Sequence, residues 1–531
     1  MIVVSDVVTT LSSDLSEAIS KAQRIIDISR DKIIDSFIIK TSIDARHGKQ
    51  PQLVSSIGFI TTENEDKIVN KLNNRHVSVR PISSTPPQFE YGKKNIEHRP
   101  VIAGFGPAGM FAGLLLAQNG YKPIIIERGE EVDKRVKSVE NFWETGTLNT
   151  QSNVQFGEGG AGTFSDGKLT TRINDPLCDY VLSELVRFGA PDEIKKKAKP
   201  HIGTDKLRNV VKEIRREIIA CGGEVLTSTR LTDITLKNGE LKQIYVNGNA
   251  IPCSALFLAI GHSARDTFEM LMQKSIMFEA KPFSVGVRIE HLQSDINNGL
   301  YGKYAGHPML PQGEYQLSLR KNDRAVYTFC MCPGGLVVPS SSEEETVVTN
   351  GMSEFARDKN NANSAVVVSV SPKDFGDDPR SAIEFQRRYE RSAFLAGGGG
   401  YRAPAQTVGC FLNEKQGLEI NRIEPSYALG VNPCDFNSIF PSYISDMLRD
   451  GIVSFGRKIR NFDATDAVLT GIETRTSSPV RILRNQNHES VSAKGIYPCG
   501  EGAGYAGGII SAAVDGIKTA IEFMKQYKPL K

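Results

Sequence analysis

Residues Pro100–Glu127 read PVIAGFGPAGMFAGLLLAQNGYKPIIIE and carry the strongest fold signal in the chain. Its first four residues form an apolar run that predicts a buried strand, and residues 104–109 follow as a Gly-x-Gly-x-x-Gly turn. An apolar segment of helical length comes next, and a second apolar strand ends at the acid. Strand, glycine turn, helix and strand in this order predict the β-α-β unit of a dinucleotide-binding fold.

Each glycine of the turn has a separate role in such a unit. Gly104 permits the tight turn, and Gly106 lets the backbone approach a pyrophosphate because it lacks a Cβ atom. Gly109 lets the helix lie close to the strand, and the N-terminus of that helix attracts phosphate. Glu127 lies about 20 residues further on, where a carboxylate can accept hydrogen bonds from the adenosine ribose. Nucleotide binding is therefore predicted, with a purely structural turn as the alternative.

Composition and charge limit the function classes. The chain has 531 residues, 40% of them hydrophobic and 24% charged, which predicts a globular protein of several domains. A net charge of +3 is too small to indicate a nucleic-acid or membrane partner. The sequence contains neither a secretory signal nor a long apolar span, and its 8 cysteines are scattered. We therefore expect a cytoplasmic protein, and the absence of metal-ligand spacing predicts no metal site.

The chain divides into four segments around the glycine turn. Residues 1–95 have the order β-α-β-β-α-β, which predicts a small ferredoxin-like α+β domain closed by a linker at Ser83–Pro87. Residues 96–275 read as alternating strands and helices of a Rossmann-like α/β domain. Residues 276–480 predict an inserted α+β substrate or cap domain, and residues 481–531 return to the dinucleotide-binding domain.

A second glycine-rich segment, residues 157–168, follows the first β-α-β unit and reads GEGGAGTFSDGK. Such a loop can bring its backbone against a ligand and offer several N–H donors, although a flexible surface loop is the alternative. Lys168 either stabilises negative charge on the ligand or lies in solvent. The ligand-binding residues predicted in this loop are Gly160, Ala161, Gly162, Ser165 and Asp166.

The turn resembles the FAD-binding start of the glutathione-reductase-related flavoproteins. In those proteins Pro-Ala is common between the last two glycines, as in Pro107-Ala108 here. Glu127-Arg128, an acidic residue followed by a basic one after the second strand, also resembles their pattern. The resemblance implies FAD as the cofactor. It also implies a strand beside the adenine at Val225 and a second chain passage near the dinucleotide that ends at Gly261.

The same resemblance extends to the end of the chain. Gly500-Glu501 resembles the Gly-Asp motif that binds the flavin ribityl chain, with Glu in place of the usual Asp. Gly507, Gly508 and Ile509 begin a helix whose N-terminus, by the same resemblance, points at the flavin pyrimidine ring. A partial positive charge there favours an anionic reduced flavin.

Longer motifs, at residues 157–172, 327–335 and 497–518, resemble a family of large bacterial FAD-dependent dehydrogenases and NAD(P)/FAD-dependent oxidoreductases. The resemblance implies hydride transfer between FAD and an organic substrate that the sequence does not identify. Catalytic residues are not identified either, and the electron donor, NAD(P)H or another, stays open. The alternative is a flavin-binding RNA-modifying or regulatory protein that binds its partner through the N-terminal domain.

Two further groups in the inserted domain have alternative interpretations. Cys330 and Cys332 can relay electrons if they lie near a flavin. Residues two apart on a strand point the same way but strain a disulfide ring, which favours buried reduced thiols. Arg288 and Glu290 share one face of a strand, where they either bind a carboxylated substrate or form an ion pair, and we favour the ion pair.

Overall fold

The computed structural model describes residues 1–45, 50–80 and 89–530, so the predicted linker Ser83–Pro87 lies outside the described residues. The N-terminal unit is an antiparallel sheet of order β2-β3-β1-β4 with two helices packed on it, which is the topology of the split β-α-β-β-α-β motif. Its elements are β1 (Ile2–Thr10), α1 (Leu15–Ile26), β2 (Ile33–Asp44), β3 (Gln52–Thr61), α2 (Glu65–Leu72) and β4 (Val77–Val79).

The dinucleotide-binding unit begins at β5. Its first part consists of β5 (Val101–Ala103), α3 (Pro107–Gln118), β6 (Ile124–Ile126), α4 (Val132–Thr145), α5 (Leu177–Arg187), α6 (Thr204–Ala220), β7 (Glu224–Leu226), β8 (Leu231–Lys237), β9 (Glu240–Val246), β10 (Asn249–Pro252), β11 (Leu256–Leu258) and α7 (Arg265–Gln273).

The inserted unit follows, and the chain then returns to the dinucleotide-binding unit. The inserted elements are β12 (Phe278–Ala280), β13 (Phe283–Leu292), α8 (Gln293–Tyr301), β14 (Ser318–Lys321), β15 (Arg324–Cys332), β16 (Leu336–Pro339), β17 (Thr349–Met352), β18 (Asn361–Val370), α9 (Pro372–Phe375), α10 (Pro379–Ala396), β19 (Ala403–Thr407), α11 (Val408–Leu412), β20 (Val431–Pro433), α12 (Ser442–Gly456), β21 (Val468–Glu473) and β22 (Val480–Ile482). The final elements are β23 (Ile496–Pro498) and α13 (Ile509–Met524).

Five parallel strands in the order β23-β11-β5-β6-β7 form the central sheet of the dinucleotide-binding unit. The strand order reverses direction between β5 and β11, and ligands of open α/β sheets bind in the crevice at this point, beyond the carboxyl ends of the strands. Helix α3 leaves β5 at the crevice and is buried over nearly its whole length. It packs against α13, so the first and last parts of the domain form one core.

One part of this domain differs from the predicted alternation of strands and helices. Residues 231–252 form a three-stranded antiparallel sheet of order β10-β9-β8. Asn238-Gly239 and Asn247-Gly248 connect its strands, and all four residues have positive φ. Asn-Gly is the preferred sequence of two-residue hairpin turns. The two hairpins could therefore have been predicted from the sequence in place of alternating strands and helices.

The inserted unit is built on a seven-stranded sheet of order β14-β15-β18-β13-β21-β19-β20. Its largest apolar core covers one face of that sheet and includes Val285, Val287 and Ile289 of β13. Strands β12 and β22 pair with each other, so the chain enters and leaves this unit side by side. None of the helices in the described parts of the chain combines the length and apolar character that a membrane crossing requires.

Candidate functional site

The glycine turn after β5 is packed so closely that two of its positions have no room for a side chain. Gly104 has a φ of +101°, and a Cβ atom there would lie 2.3 Å from the Ala259 carbonyl oxygen. A Cβ atom at Gly109 would lie 1.9 Å from the Gly104 carbonyl oxygen. Gly106 caps α3, and Pro107 occupies the first helical position, where its missing N–H costs nothing. The remaining first-turn N–H groups face the crevice as donors for an anion.

The second glycine segment lies directly on this turn. Gly160 has a φ of +66°, and a Cβ atom there would lie 2.9 Å from Gly106 Cα. A short 3₁₀ turn over Ala161–Phe164 continues from it. A Cβ atom at Gly162 would lie 3.3 Å from the Ile509 side chain, which begins α13. The predicted loop residues 160–162 therefore lie between the N-termini of α3 and α13.

Arg135, which is not among the residues predicted from the sequence, holds the second glycine segment in place. This side chain of α4 is fully buried. Its guanidinium donates hydrogen bonds of 2.8–3.2 Å to the backbone carbonyls of Asn153, Val154, Gly157, Glu158 and Gly160. The signal was present, because an arginine interrupts the apolar stripe of α4, which Val132, Val139 and Phe142 continue.

Glu127 connects the turn, the end of β6 and the glycine segment. Its Oε2 atom accepts from the Phe105 N–H at 2.8 Å, and its Oε1 atom accepts from the N–H groups of Gly129 and Gly157 at 2.9 and 3.0 Å. The side chain is 5% exposed. A carboxylate has about four acceptor positions, so these three bonds leave room for a hydroxyl donor in the crevice.

Gly500-Glu501 brings the C-terminal part of the chain onto the same turn. Gly500 has a φ of +76°, and a Cβ atom there would lie 2.6 Å from Ala108 Cβ. Its N–H donates to Asp515 Oδ2 at 2.7 Å, and Asp515 is paired with Arg484. Gly261, which follows β11, packs against the same C-terminal segment. A Cβ atom at Gly502 would lie 2.4 Å from the Gly261 carbonyl oxygen.

The N-terminus of α13 opens into free space. Gly507 and Gly508 are exposed, and among the described residues nothing lies within 4 Å of a Cβ atom built on either. Gly508 caps the helix, and its first residue, Ile509, contacts the glycine segment at Gly162. The predicted cofactor residues 104–109, 160–162, 261, 500–501 and 507–509 therefore converge on one crevice.

A polar groove of about 610 Å³ lies beyond the carboxyl ends of β6 and β7, at the opposite end of the crevice from α13. Arg128 lines it, paired with Asp266 and positioned 4.3 Å from the Phe156 ring centroid. Val225 lies on β7 beside Ile125 of β6 and is half-buried. The groove is also lined by Glu130, Asn149, Gln151, Ser152, Ser228, Arg230, Thr232, Asn247 and Gly248.

Two predicted residues of the loop are engaged within the protein. Ser165 Oγ donates to the Gly162 carbonyl at 2.7 Å and accepts from the Gly167 N–H at 3.0 Å. Asp166 is fully buried and forms ion pairs with Arg357 and Lys168, both at 2.5 Å. Burial alone would raise the pKa of Asp166, but the two cations lower it below its ordinary value. Asp166 thus anchors the loop to Arg357 and holds the Lys168 side chain.

Charged groups from both units meet at the α13 end of the crevice. Glu501 is half-buried, and burial raises its pKa to about 7; Lys281 lowers this pKa, and Cys330 raises it. Burial and Arg481 lower the pKa of Lys281, while Glu501 opposes them. Lys281 and Cys330 belong to the inserted unit, so that unit supplies one wall of the site.

Arg288 forms the ion pair that the sequence favoured, but with a different partner. The side chain is fully buried and donates to both carboxylate oxygens of Glu473, at 2.9 and 3.1 Å. Its remaining hydrogen bonds go to the Cys330 carbonyl, Asn363 and Asn350. Glu290 instead accepts from Ser426 and Asn361. All donors of Arg288 are used within the protein, which leaves none for a substrate.

Comparison with known proteins gives one family model and a relative that spans nearly the whole chain. A family model described as "FAD-dependent protein, C-terminal domain-like" matches residues 282–476, which fall within the inserted unit. A Clostridium beijerinckii (strain ATCC 51743 / NCIMB 8052) protein named "Uncharacterized protein" is 49% identical over 527 residues, which cover 99% of this chain and 98% of that protein.

Solved structures that match this chain have low sequence identity to it and low TM-scores. CtdE in complex with FAD is 13% identical with a TM-score of 0.31, over 80% of this chain and 85% of that one. Glycine oxidase from Bacillus cereus ATCC 14579 is 10% identical with a TM-score of 0.29, over 83% of this chain and 96% of that one. TM-scores this low do not establish a common fold.

The crevice fits a dinucleotide. Three glycines from separate segments, Gly106, Gly160 and Gly500, leave a backbone-lined surface at the N-terminus of α3. The Glu127 carboxylate lies beside it, and free N–H groups point toward it. Together with the match to the FAD-dependent family model, this donor set identifies FAD as the cofactor.

Proposed function

We propose that this chain, which belongs to the same protein family as the Clostridium beijerinckii protein, is an FAD-dependent oxidoreductase that acts on an organic substrate. The observation that carries the proposal is the convergence of Gly106, Gly160 and Gly500 at the switch point of the parallel sheet. A structural turn needs only one glycine segment, whereas three segments without side chains form a surface for an extended ligand.

The residues of the crevice divide into two binding roles. First-turn N–H groups of α3 and the backbone at Gly160 would hold the pyrophosphate, and Glu127 would accept from the ribose. Glu501 would accept from the ribityl hydroxyls. The polar groove beside Arg128 supports a position for the adenosine, since it begins where β6 and β7 end.

Bound FAD supplies a ring that accepts and returns a hydride. The N-terminus of α13 would contribute partial positive charge to that ring, and the Lys281 ammonium group, which acts on Glu501, would contribute a full one. Both charges would stabilise negative charge on the reduced ring. The inserted unit would select the substrate, because Lys281 and Cys330 bring it to the α13 end of the crevice. A dehydrogenase reaction, with NAD(P)H or another compound as the second redox partner, is the form of the proposal that we favour.

The experiment is anaerobic mixing of the purified protein with NADH, NADPH and then a panel of amino acids, amines and hydroxy acids. We expect one FAD per chain and bleaching of its visible absorption by at least one donor. Free FAD and Gly106→Val, whose side chain would fill the crevice, serve as controls. A protein that binds FAD, is bleached by dithionite and responds to no organic donor would contradict the proposal. The comparisons do not favour the RNA-modifying or regulatory alternative.

A further inference from the structure

We propose that Cys330 and Cys332 form a redox-active pair that exchanges two electrons with the bound flavin. The inference deepens the proposed function and rests on it, because the flavin is the electron partner. It would make a thiol or disulfide centre on β15 part of the active site.

The geometry of β15 separates the two thiols by accessibility. The pairing of β15 with β18 shifts register between Phe329 and Cys332, and Cys330 lies in this bulge with a φ of +44°. The strand alternation that the sequence predicts therefore fails at this point. Cys330 is half-buried, whereas Cys332 is completely buried and its thiol donates to the Cys330 carbonyl at 3.3 Å. Both are free thiols, and only Cys330 is partly accessible to solvent.

The charges around the pair favour a thiolate at Cys330. The neighbouring Cys332 thiol lowers the pKa of Cys330 below its ordinary value; burial opposes this shift, Arg288 and Lys168 support it, and Glu473 opposes it. Cys332 has the opposite environment, because its neighbour's charge and burial raise its pKa. The surroundings therefore favour a thiolate at Cys330 and a thiol at Cys332, the combination that thiol–disulfide chemistry requires.

The position of Cys330 directs this chemistry toward the flavin. Lys168 belongs to the glycine segment that lies on the α3 turn, and Glu501 belongs to the turn that would hold the ribityl chain. A Cβ atom at Gly334, two residues beyond Cys332, would lie 1.9 Å from the carbonyl oxygen of Arg357, which is paired with Asp166 of the glycine segment. The end of β15 therefore packs against one of the three segments that form the FAD crevice. In agreement with this contact, Lys168 lowers the pKa of Cys330, and Cys330 raises the pKa of Glu501.

The proposed step needs no reactant besides the flavin. In the oxidising direction an S–S bond forms between the Cys330 thiolate and the Cys332 thiol, and two electrons and one proton pass to oxidised FAD, which becomes anionic reduced FAD. In the reverse direction reduced FAD cleaves the disulfide. A ring closed between residues two apart is strained, and strained disulfides have more oxidising potentials. Electrons therefore reach the disulfide before they accumulate on the flavin.

A thiol count on the FAD-loaded protein tests the pair directly. The chain has 8 cysteines, so wild type that is reduced and then denatured should show eight thiols, and wild type oxidised with ferricyanide should show six, eight minus the pair. Cys330→Ser and Cys332→Ser should each show seven in both states. Cys434→Ser, which removes a buried thiol elsewhere in the inserted unit, should still lose two thiols on oxidation.

Anaerobic dithionite titration provides the second measurement. Oxidised wild type and Cys434→Ser should take up four electrons per flavin, the first two without bleaching, and both pair variants should take up two. If wild type shows eight thiols after oxidation and takes up two electrons, the inference fails while the proposed function stands. If no FAD binds, the proposed function itself fails. The wild-type measurements decide the question even if a variant does not fold.

Discussion

Gly160 has two separate reasons to be glycine, and they can be tested apart. Its φ of +66° strains any other residue by roughly 1–2 kcal/mol. A methyl group would also lie 2.9 Å from Gly106 Cα, in the crevice that FAD would occupy. Gly400 has nearly the same φ, +61°, but nothing among the described residues lies within 4 Å of a Cβ atom there.

We therefore expect Gly160→Ala to weaken FAD binding at least about tenfold, which corresponds to about 1.4 kcal/mol. Gly400→Ala carries the same backbone strain and should bind FAD as wild type does. Titration of the FAD-free proteins with FAD, followed by flavin fluorescence, measures both affinities. Equal affinities for the two variants would show that the contact with Gly106 does not shape the FAD site.

The raised pKa of Glu501 leads us to expect that FAD binding depends on pH. Burial raises its pKa to about 7 in the protein without FAD, so the carboxyl group is mostly protonated below that pH. Hydrogen bonds from ribityl hydroxyls favour the ionised form and lower this pKa on binding. Binding then releases a proton below pH 7, so affinity rises as the pH increases from about 6 to 8. Glu501→Gln should show a flat profile over this range, and a wild type with an equally flat profile would contradict the assigned ribityl contact.

Among the elements, α10 joins the two larger units through one buried carboxylate. Glu390 is completely buried and pairs with Arg265 of α7 at 2.7 Å and with Arg475, which follows β21, at 3.0 Å. Burial alone would raise the pKa of Glu390, but the two arginines hold it far below its ordinary value. Among the described residues, removal of the carboxylate charge leaves Arg475 buried without a counterion and Arg265 with Glu343 as its only carboxylate partner.

Glu390→Gln should accordingly lower the free energy of unfolding by about 3–5 kcal/mol. Glu384→Gln on the same helix is the matched control, because that side chain is 63% exposed and should change stability by no more than about 0.5 kcal/mol. Urea unfolding followed by circular dichroism compares the two variants. Similar midpoints would show that the buried cluster does not stabilise the contact between the units.

At the scale of the whole molecule, the N-terminal unit has a core of its own. Ile2, Val4, Ile57 and Phe59 are completely buried within it. Two backbone hydrogen bonds between Thr41 and the 196–198 segment join β2 to the dinucleotide-binding unit. Neither bond involves a segment of the FAD crevice.

A chain that begins at residue 89 should therefore fold and bind FAD with the affinity of the full chain. Flavin titration of the two proteins, with circular dichroism to establish folding, provides the measurement. A folded but FAD-free shortened chain would show that the small unit shapes the crevice from outside it.

The local parts of this protein could be predicted from the amino-acid sequence. The strand–turn–helix from Pro100 to Glu127 follows from apolar runs, glycines and an acid that all lie within one β-α-β unit, and the structure contains it as β5, α3 and β6. The glycine segment and Gly500-Glu501 were recognised for the same reason. Backbone conformation and hydrophobic periodicity depend mainly on near neighbours, so one sequence suffices to predict them.

The side-chain pairs of the site, in contrast, depend on how distant segments pack together. Arg288 pairs with Glu473, 185 residues away, although Glu290 was nearer in sequence. Asp166 pairs with Arg357, and a register shift between Phe329 and Cys332 places Cys330 in a bulge of β15. The energy of a buried charge depends on the partners that packing places around it, and distant segments supply those partners. The side chains that meet at the α13 end of the crevice are therefore determined by packing between distant segments. The dinucleotide-binding fold follows from local sequence, because its strands, turn and helix depend on near neighbours.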